Sequence, residues 1–172
     1  EVITYDICES VIRSRIQMKY KKVNKILEEN EVPEGYSEFV DKLKLMKELA
    51  DILRKHKVSR GYIDFEIDEP KIIVDDKGKA IDVILRDRGT GEKLIEDFMI
   101  AANETVATCI YFMELPFIYR VQGEPSEEKI NKFLSFVSSL GYQVNGKVKD
   151  LTPIAMQQLL EQLKDKKEYH IL

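Results

Sequence analysis

Residues 92–115, EKLIEDFMIAANETVATCIYFMEL, are free of Pro and Gly and keep a clear apolar period. Ile95, Phe98, Met99, Ala102, Val106, Cys109, Ile110 and Met113 follow i, i+3, i+4, i+7 spacing, which predicts one apolar stripe on a long α-helix. Thr90 or Gly91 caps the start of such a helix, and Pro116 stops it just beyond the end. A helix of this kind must bury its stripe, so the rest of the chain has to pack around it. Glu96 and Asn103, seven residues apart, fall side by side on the border of the stripe. Two readings of that border stay open on periodicity alone: boundary polar residues of an ordinary core helix, or the wall of a polar cleft.

The elements on either side predict an α+β fold. Helices pack around the central amphipathic one, beside a small, mostly antiparallel sheet. Residues 2–12 are rich in β-branched and aromatic residues and read as a strand. The run KKVNKILEEN reads as a short helix, and Pro33 and Gly35 as a loop. From Ser37 to about His56 the periodic set Phe39, Leu43, Met46, Leu49, Ala50 and Leu53 predicts a second long helix. The period then drops to two in residues 61–67, which predicts another strand. Residues 71–87 read as a hairpin turning at Asp76-Lys77-Gly78, and 117–122 as a short strand. A helix opens after Pro125-Ser126 and stops at Gly141, and a last helix runs from Pro153 to Leu163.

At 172 residues the chain is long enough for one domain with a real core. Its 44% apolar and 34% charged content excludes disorder, and no apolar run approaches the ~20 residues that span a bilayer. With no apolar signal-peptide core and only Cys8 and Cys109, the expected setting is the cytoplasm, with both thiols reduced. Cys109 lies on the apolar stripe, as a core residue. The net charge of −4 argues against holding nucleic acid by bulk charge, yet the charge is segregated. Arg13, Arg15, Lys19, Lys21, Lys22 and Lys25 come without an intervening acid, around Tyr20. An aromatic ring among cations suits a base or sugar beside phosphate, although a solvated basic helix start has the same composition.

Other constellations carry less. Asp64, Glu66 and Asp68 share a strand face, which reads as a solvated face before it reads as a metal site. Asp75-Asp76 reads as turn chemistry. His56 and His170 have no ligand partner at zinc spacing. Walker, Rossmann and G-x-S-x-G signatures are absent, and Gly89-Thr90-Gly91 is too short for a phosphate cradle.

From Arg60 the run RGYIDFEIDEPKIIVDDKGKAIDVILRDRGTGEKLIEDFMIAANETVA, with LPFIYRVQGEPSEEKI after it and CESVIRSRIQMKYKKVNKIL before it, closely resembles the RNase R and RNase II family of 3′→5′ exoribonucleases, nearer to bacterial RNase R. The family's Arg-Gly…Asp-Phe strand, Lys-Gly turn and Leu-Ile-Glu-(Glu/Asp)-x-Met-x-x-Ala-Asn helix all have counterparts. Gln17 stands where a basic residue is usual, and Gly89 and Gly91 loosen the start of the central helix.

The resemblance implies a parent enzyme that hydrolyses RNA from its 3′ end to nucleoside 5′-monophosphates with Mg²⁺. It also implies the site residues. Glu96 matches the glutamate that binds the ribose of the last nucleotide, and Tyr20 the tyrosine that packs beside it. Together they favour RNA, because a carboxylate accepts from a 2′-hydroxyl that DNA lacks. Phe65 lies near the aromatic that stacks on a terminal base, and Asn103 is assigned an orienting role. The metal-holding aspartate motif, the Ser-Pro-Ile-Arg run and the OB-fold domains of the family have no counterpart here. The expectation is therefore one partial domain over 1–172, the middle of a catalytic domain, with no catalytic or metal residue and no metal of its own. Its expected partners are the 3′ end of single-stranded RNA and the rest of the parent chain. The rival readings are a non-catalytic RNA-binding or scaffold relative and a helical protein-interaction module.

Overall fold

The computed structural model describes residues 2–64, 70–85, 88–121, 123–142, 152–163 and 166. In chain order these form α1 (Tyr20–Asn24), which continues as one π-helical turn over Lys25–Glu29, and a 3₁₀ turn over Ser37–Phe39. Then come α2 (Val40–Ser59), β1 (Pro70–Val74), β2 (Ala80–Leu85), α3 (Thr90–Phe112), α4 (Glu127–Ser139) and α5 (Pro153–Leu163). The fold is α+β, with several helices, one of them long and central, and a two-stranded antiparallel sheet. The chain divides into two compact units, Glu1–Arg54 with Glu66–Ile118, and Lys55–Phe65 with Tyr119–Leu172.

In the first unit the core is local. Val23 and Ile26 project from α1 and the turn that extends it, and pack with Tyr36 and Leu43, flanked by Phe39, Val40 and Met46. Tyr36 is 3% exposed, and its hydroxyl accepts from the Lys19 N–H at 3.1 Å, which fixes the residue just before α1. The π-helical turn ends at Asn30 with φ +56°, a left-handed residue that Asn tolerates.

The hairpin forms where the sequence predicts it. Pro70 pairs with Leu85 and Ile72 with Val83, and the register shifts between Ile73 and Val74. Asp75 Oδ1 accepts from the N–H groups of Lys77 and Lys79, each at 2.9 Å, and Gly78 supplies φ +77°. That is the turn chemistry expected of Asp75-Asp76. Ile72, Val74, Ile81, Val83 and Leu85 are all at least half exposed, so the hairpin stands on its own ladder and not on a core.

The strands predicted at 2–12, 61–67 and 117–122 are corrected over the described residues. Residues 2–12 lie outside any helix or strand and are exposed. Residues 61–64 and 117–121 are likewise irregular, while 65–67 and 122 lie outside the described residues. A β-branched run becomes a strand only when a neighbouring edge takes up its backbone N–H and C=O groups. Among the described residues the only strand pair is β1 with β2.

The central helix is also rotated from its predicted register in its first half. Gly91, Leu94 and Asp97 are buried, Phe98 is only half-buried, and Ile95, Met99 and Ala102 are exposed. Beyond this, Val106, Cys109 and Ile110 are half-buried, as the period predicts. The rotation follows from the first turn, which packs on α1 through Gly91.

In the second unit Val137 of α4 and Leu159 and Leu163 of α5 are essentially fully buried, with Phe133 and Tyr142 against them. Ser126 caps α4 by accepting from the Lys129 N–H. Gln157 donates to the Val58 and Tyr62 carbonyls, and the Lys57 ammonium sits 3.7 Å from the centre of the Tyr62 ring. No helix among the described residues is long and apolar enough to cross a membrane.

Candidate functional site

Tyr20 opens α1 within the basic segment and is 43% exposed. Its ring lies against the first turn of α3, with Cδ1 3.5 Å from where a β-carbon on Gly91 would stand. Tyr20, Val23, Leu94, Ile95 and Met46 line an open, largely apolar cavity of about 450 Å³, with Lys42 at its edge. The cations on either side are spread over the surface. Arg15 lies 3.9 Å from Glu38 near Arg13, and Lys25 pairs with Glu31 at 2.8 Å, which raises the Lys25 ammonium above its ordinary pKa.

Glu96 lies on α3 just after Ile95, half-buried, and its Oε2 accepts from Arg88 Nη2 at 2.5 Å. That contact fixes one carboxylate oxygen. Nothing in the local sequence pattern signals this pairing, because Arg88 lies before the helix, eight residues from Glu96. Asn103 shares Glu96's face of α3 and is exposed. It is not part of the cavity wall. Phe65 lies outside the described residues.

The first turn of α3 is held by residues that the sequence reading passed over. A helix start leaves N–H groups without intrahelical partners. Here the Thr90 N–H donates to Glu28 Oε1 at 2.6 Å and the Gly91 N–H to Asn24 Oδ1 at 2.6 Å. Glu92 reaches back to the Gly89 N–H at 3.2 Å, and the same oxygen accepts from Asn24 Nδ2 at 2.9 Å. The backbone hydrogen bond from Thr90 holds the Glu28 carboxyl below the usual carboxylate range, and Lys93 adds to the effect. Gly89 and Gly91 do not loosen this start. A β-carbon on Gly89 would collide with the Asn24 amide, and one on Gly91 would stand 2.8 Å from Asn24 Oδ1. The glycines make room for Asn24. The signals were Asn24 in the Val-Asn pair and the Gly-Thr-Gly spacing, and each was read without the other.

More than one turn further on, Asp97 is buried on α3 and pairs with Arg54 Nε of α2 at 3.1 Å. Lys47 and Lys93 flank this pair, and Lys47 bonds Asp51 at 2.7 Å. Among the described residues no group of three or more His, Cys, Asp or Glu comes together to hold a metal ion. The resemblance implies Mg²⁺, and the donors present here do not fit it.

The comparisons with known proteins point one way. Ribonuclease R of Thermotoga maritima is 42% identical over 165 residues, which cover 95% of this chain and 23% of that protein. Mycoplasma genitalium RNase R in complex with ribose-methylated single-stranded RNA superposes with a TM-score of 0.81 at 27% identity, over 88% of this chain and 24% of that one. The same protein in complex with double-stranded RNA gives a TM-score of 0.80 over 88% of this chain. The chain thus spans about a quarter of the length of these relatives. The family model for the RNB domain matches residues 1–172, and the chain belongs to the RNB-domain family of RNase R and RNase II.

Proposed function

We propose that the chain is the middle part of the catalytic domain of a cytoplasmic 3′→5′ exoribonuclease, and that it supplies the wall that holds the 3′-terminal nucleotide of single-stranded RNA. The observation that carries this reading is the pairing of Tyr20 with the first turn of α3, the helix that also carries Glu96. An exposed aromatic ring and a half-buried carboxylate then belong to one compact unit. Glu96 accepts the 2′-hydroxyl of the last nucleotide, and Tyr20 packs on the same sugar. Arg88 holds the carboxylate in place. Asn103 orients the strand further along α3, and Phe65 stacks on a terminal base.

Release of nucleoside 5′-monophosphates with Mg²⁺ is assigned to the parent protein. The described residues do not fit a Mg²⁺ site, so the metal belongs to residues outside them.

The test uses the full-length protein with Glu96→Ala and Tyr20→Ala combined. Losing a hydrogen bond to a charged acceptor is worth about 1.5–3 kcal/mol, or roughly ten- to a hundredfold in discrimination. The double variant is expected to keep most of its rate on RNA and to degrade a matched DNA oligonucleotide detectably. An RNA-to-DNA rate ratio equal to the parent's overturns the ribose-sensor role. A full-length protein that binds RNA and never shortens it identifies a non-catalytic relative instead.

A further inference from the structure

Asn24 has no part in the reading above, yet the start of α3 is built around it. It follows Tyr20 by one helical turn, and Glu28 follows by about one more. This face of α1 and its extension meets residues 89–92 through three side chains: the Tyr20 ring against Gly91, the Asn24 amide against Gly91 and Glu92, and the Glu28 carboxylate against Thr90. Of the three, only Asn24 both accepts and donates. Its Oδ1 takes the Gly91 N–H and its Nδ2 gives to Glu92, so the amide is fixed in one orientation. Both glycines leave space that its head group fills.

We infer that Asn24 is a positioning residue for ribose selection: it locks the first turn of α3 to α1, so that Tyr20 from one helix and Glu96 from the other meet the same sugar. The inference rests on the reading of Tyr20 and Glu96 given above. A helix is stiff, so what fixes its first turn also fixes Glu96 farther along. If the first turn shifts, the carboxylate and the ring part company. The hydrogen bond to the 2′-hydroxyl is then lost while the reacting phosphodiester, held elsewhere, is spared. Asn24 therefore acts on selectivity, not on the chemical step.

The test is a set of variants in the full-length protein, each assayed on matched RNA and DNA oligonucleotides. The readout is the ratio of the two rates, which a smaller folded fraction does not change. Asn24→Ala is expected to lower the RNA-to-DNA ratio by about tenfold, mainly through a loss on RNA. Asn24→Asp is expected to do the same, because its carboxylate then faces that of Glu92. If Asn24→Ala leaves the ratio unchanged while the Tyr20 and Glu96 double variant lowers it, the inference falls and the ribose reading stands. If neither changes the ratio, both fall.

Discussion

Replacing Gly91 by Ala tests the packing of α3 on α1 most directly. Gly91 sits one residue into the helix, and its backbone is outside the left-handed region, so alanine fits the local conformation. On an isolated helix the change stabilises by up to about 1 kcal/mol. In this protein the new β-carbon stands 2.8 Å from Asn24 Oδ1 and 3.3 Å from Val23 Cγ1. Val23 is core and gives little, so the amide must move. Its bonds to Gly91 at 2.6 Å and Glu92 at 2.9 Å then stretch or break. At about 1 kcal/mol each, losing both costs about 2 kcal/mol. Set against the propensity gain, the net expectation is a loss of about 1 kcal/mol. With Asn24→Ala already in place the obstacle is gone, and Gly91→Ala is expected to become neutral or stabilising. Urea unfolding of the four members of this cycle measures the coupling, expected at about 1–2 kcal/mol. Additive effects, or a higher midpoint for Gly91→Ala alone, refute the packing argument.

Three further outcomes follow from the same geometry. Leu94 is 3% exposed and Phe98 only half-buried, so Leu94→Ala is expected to cost about 2–5 kcal/mol and Phe98→Ala less, about 1–3 kcal/mol; a reversed order in unfolding midpoints would restore the register predicted from the sequence. Glu28 has a folded pKa below its unfolded value, so its contribution is present above the ordinary glutamate pKa of about 4.3 and is lost as pH falls below that; Glu28→Gln is expected to lower stability near pH 7 and to converge with the parent near pH 3, as read by thermal unfolding across that range. The 172-residue chain alone is expected to release no mononucleotides from labelled RNA with Mg²⁺, and release above a blank refutes that.

Helices were legible wherever a period and a stop signal coincided. Pro153 and Leu163 bound α5, Ser126 caps α4, and Asp75 with Gly78 turns the hairpin, because each rests on contacts within a few residues of sequence. Strands at 2–12, 61–64 and 117–121 failed for the opposite reason. Alternation states which side chains share a face, but a strand exists through a second backbone, and no local pattern names it. The register of α3 failed in between. Ile95, Phe98 and Met99 are the more apolar choice, yet Gly91 and Leu94 face inward, since the small residue lets α1 come close.

The same distinction governs the site. Tyr20 and Glu96 stood out because an aromatic among cations and a carboxylate on a stripe border are local oddities. Asn24 did not stand out, because an Asn near a helix end looks like ordinary punctuation. Its meaning depends on Gly89, Gly91 and Glu92, more than sixty residues away. Read alone, the two glycines signal a loose start to α3, since glycine carries the largest backbone entropy. Beside an amide that fills their missing β-carbons they signal a close approach, and the start is tight. Propensity cannot separate these meanings; only the neighbour can. A glycine pair before a long helix is therefore best read together with any Asn or Asp one helical turn beyond a candidate binding aromatic, because those two features together make a helix-to-helix lock that neither makes alone.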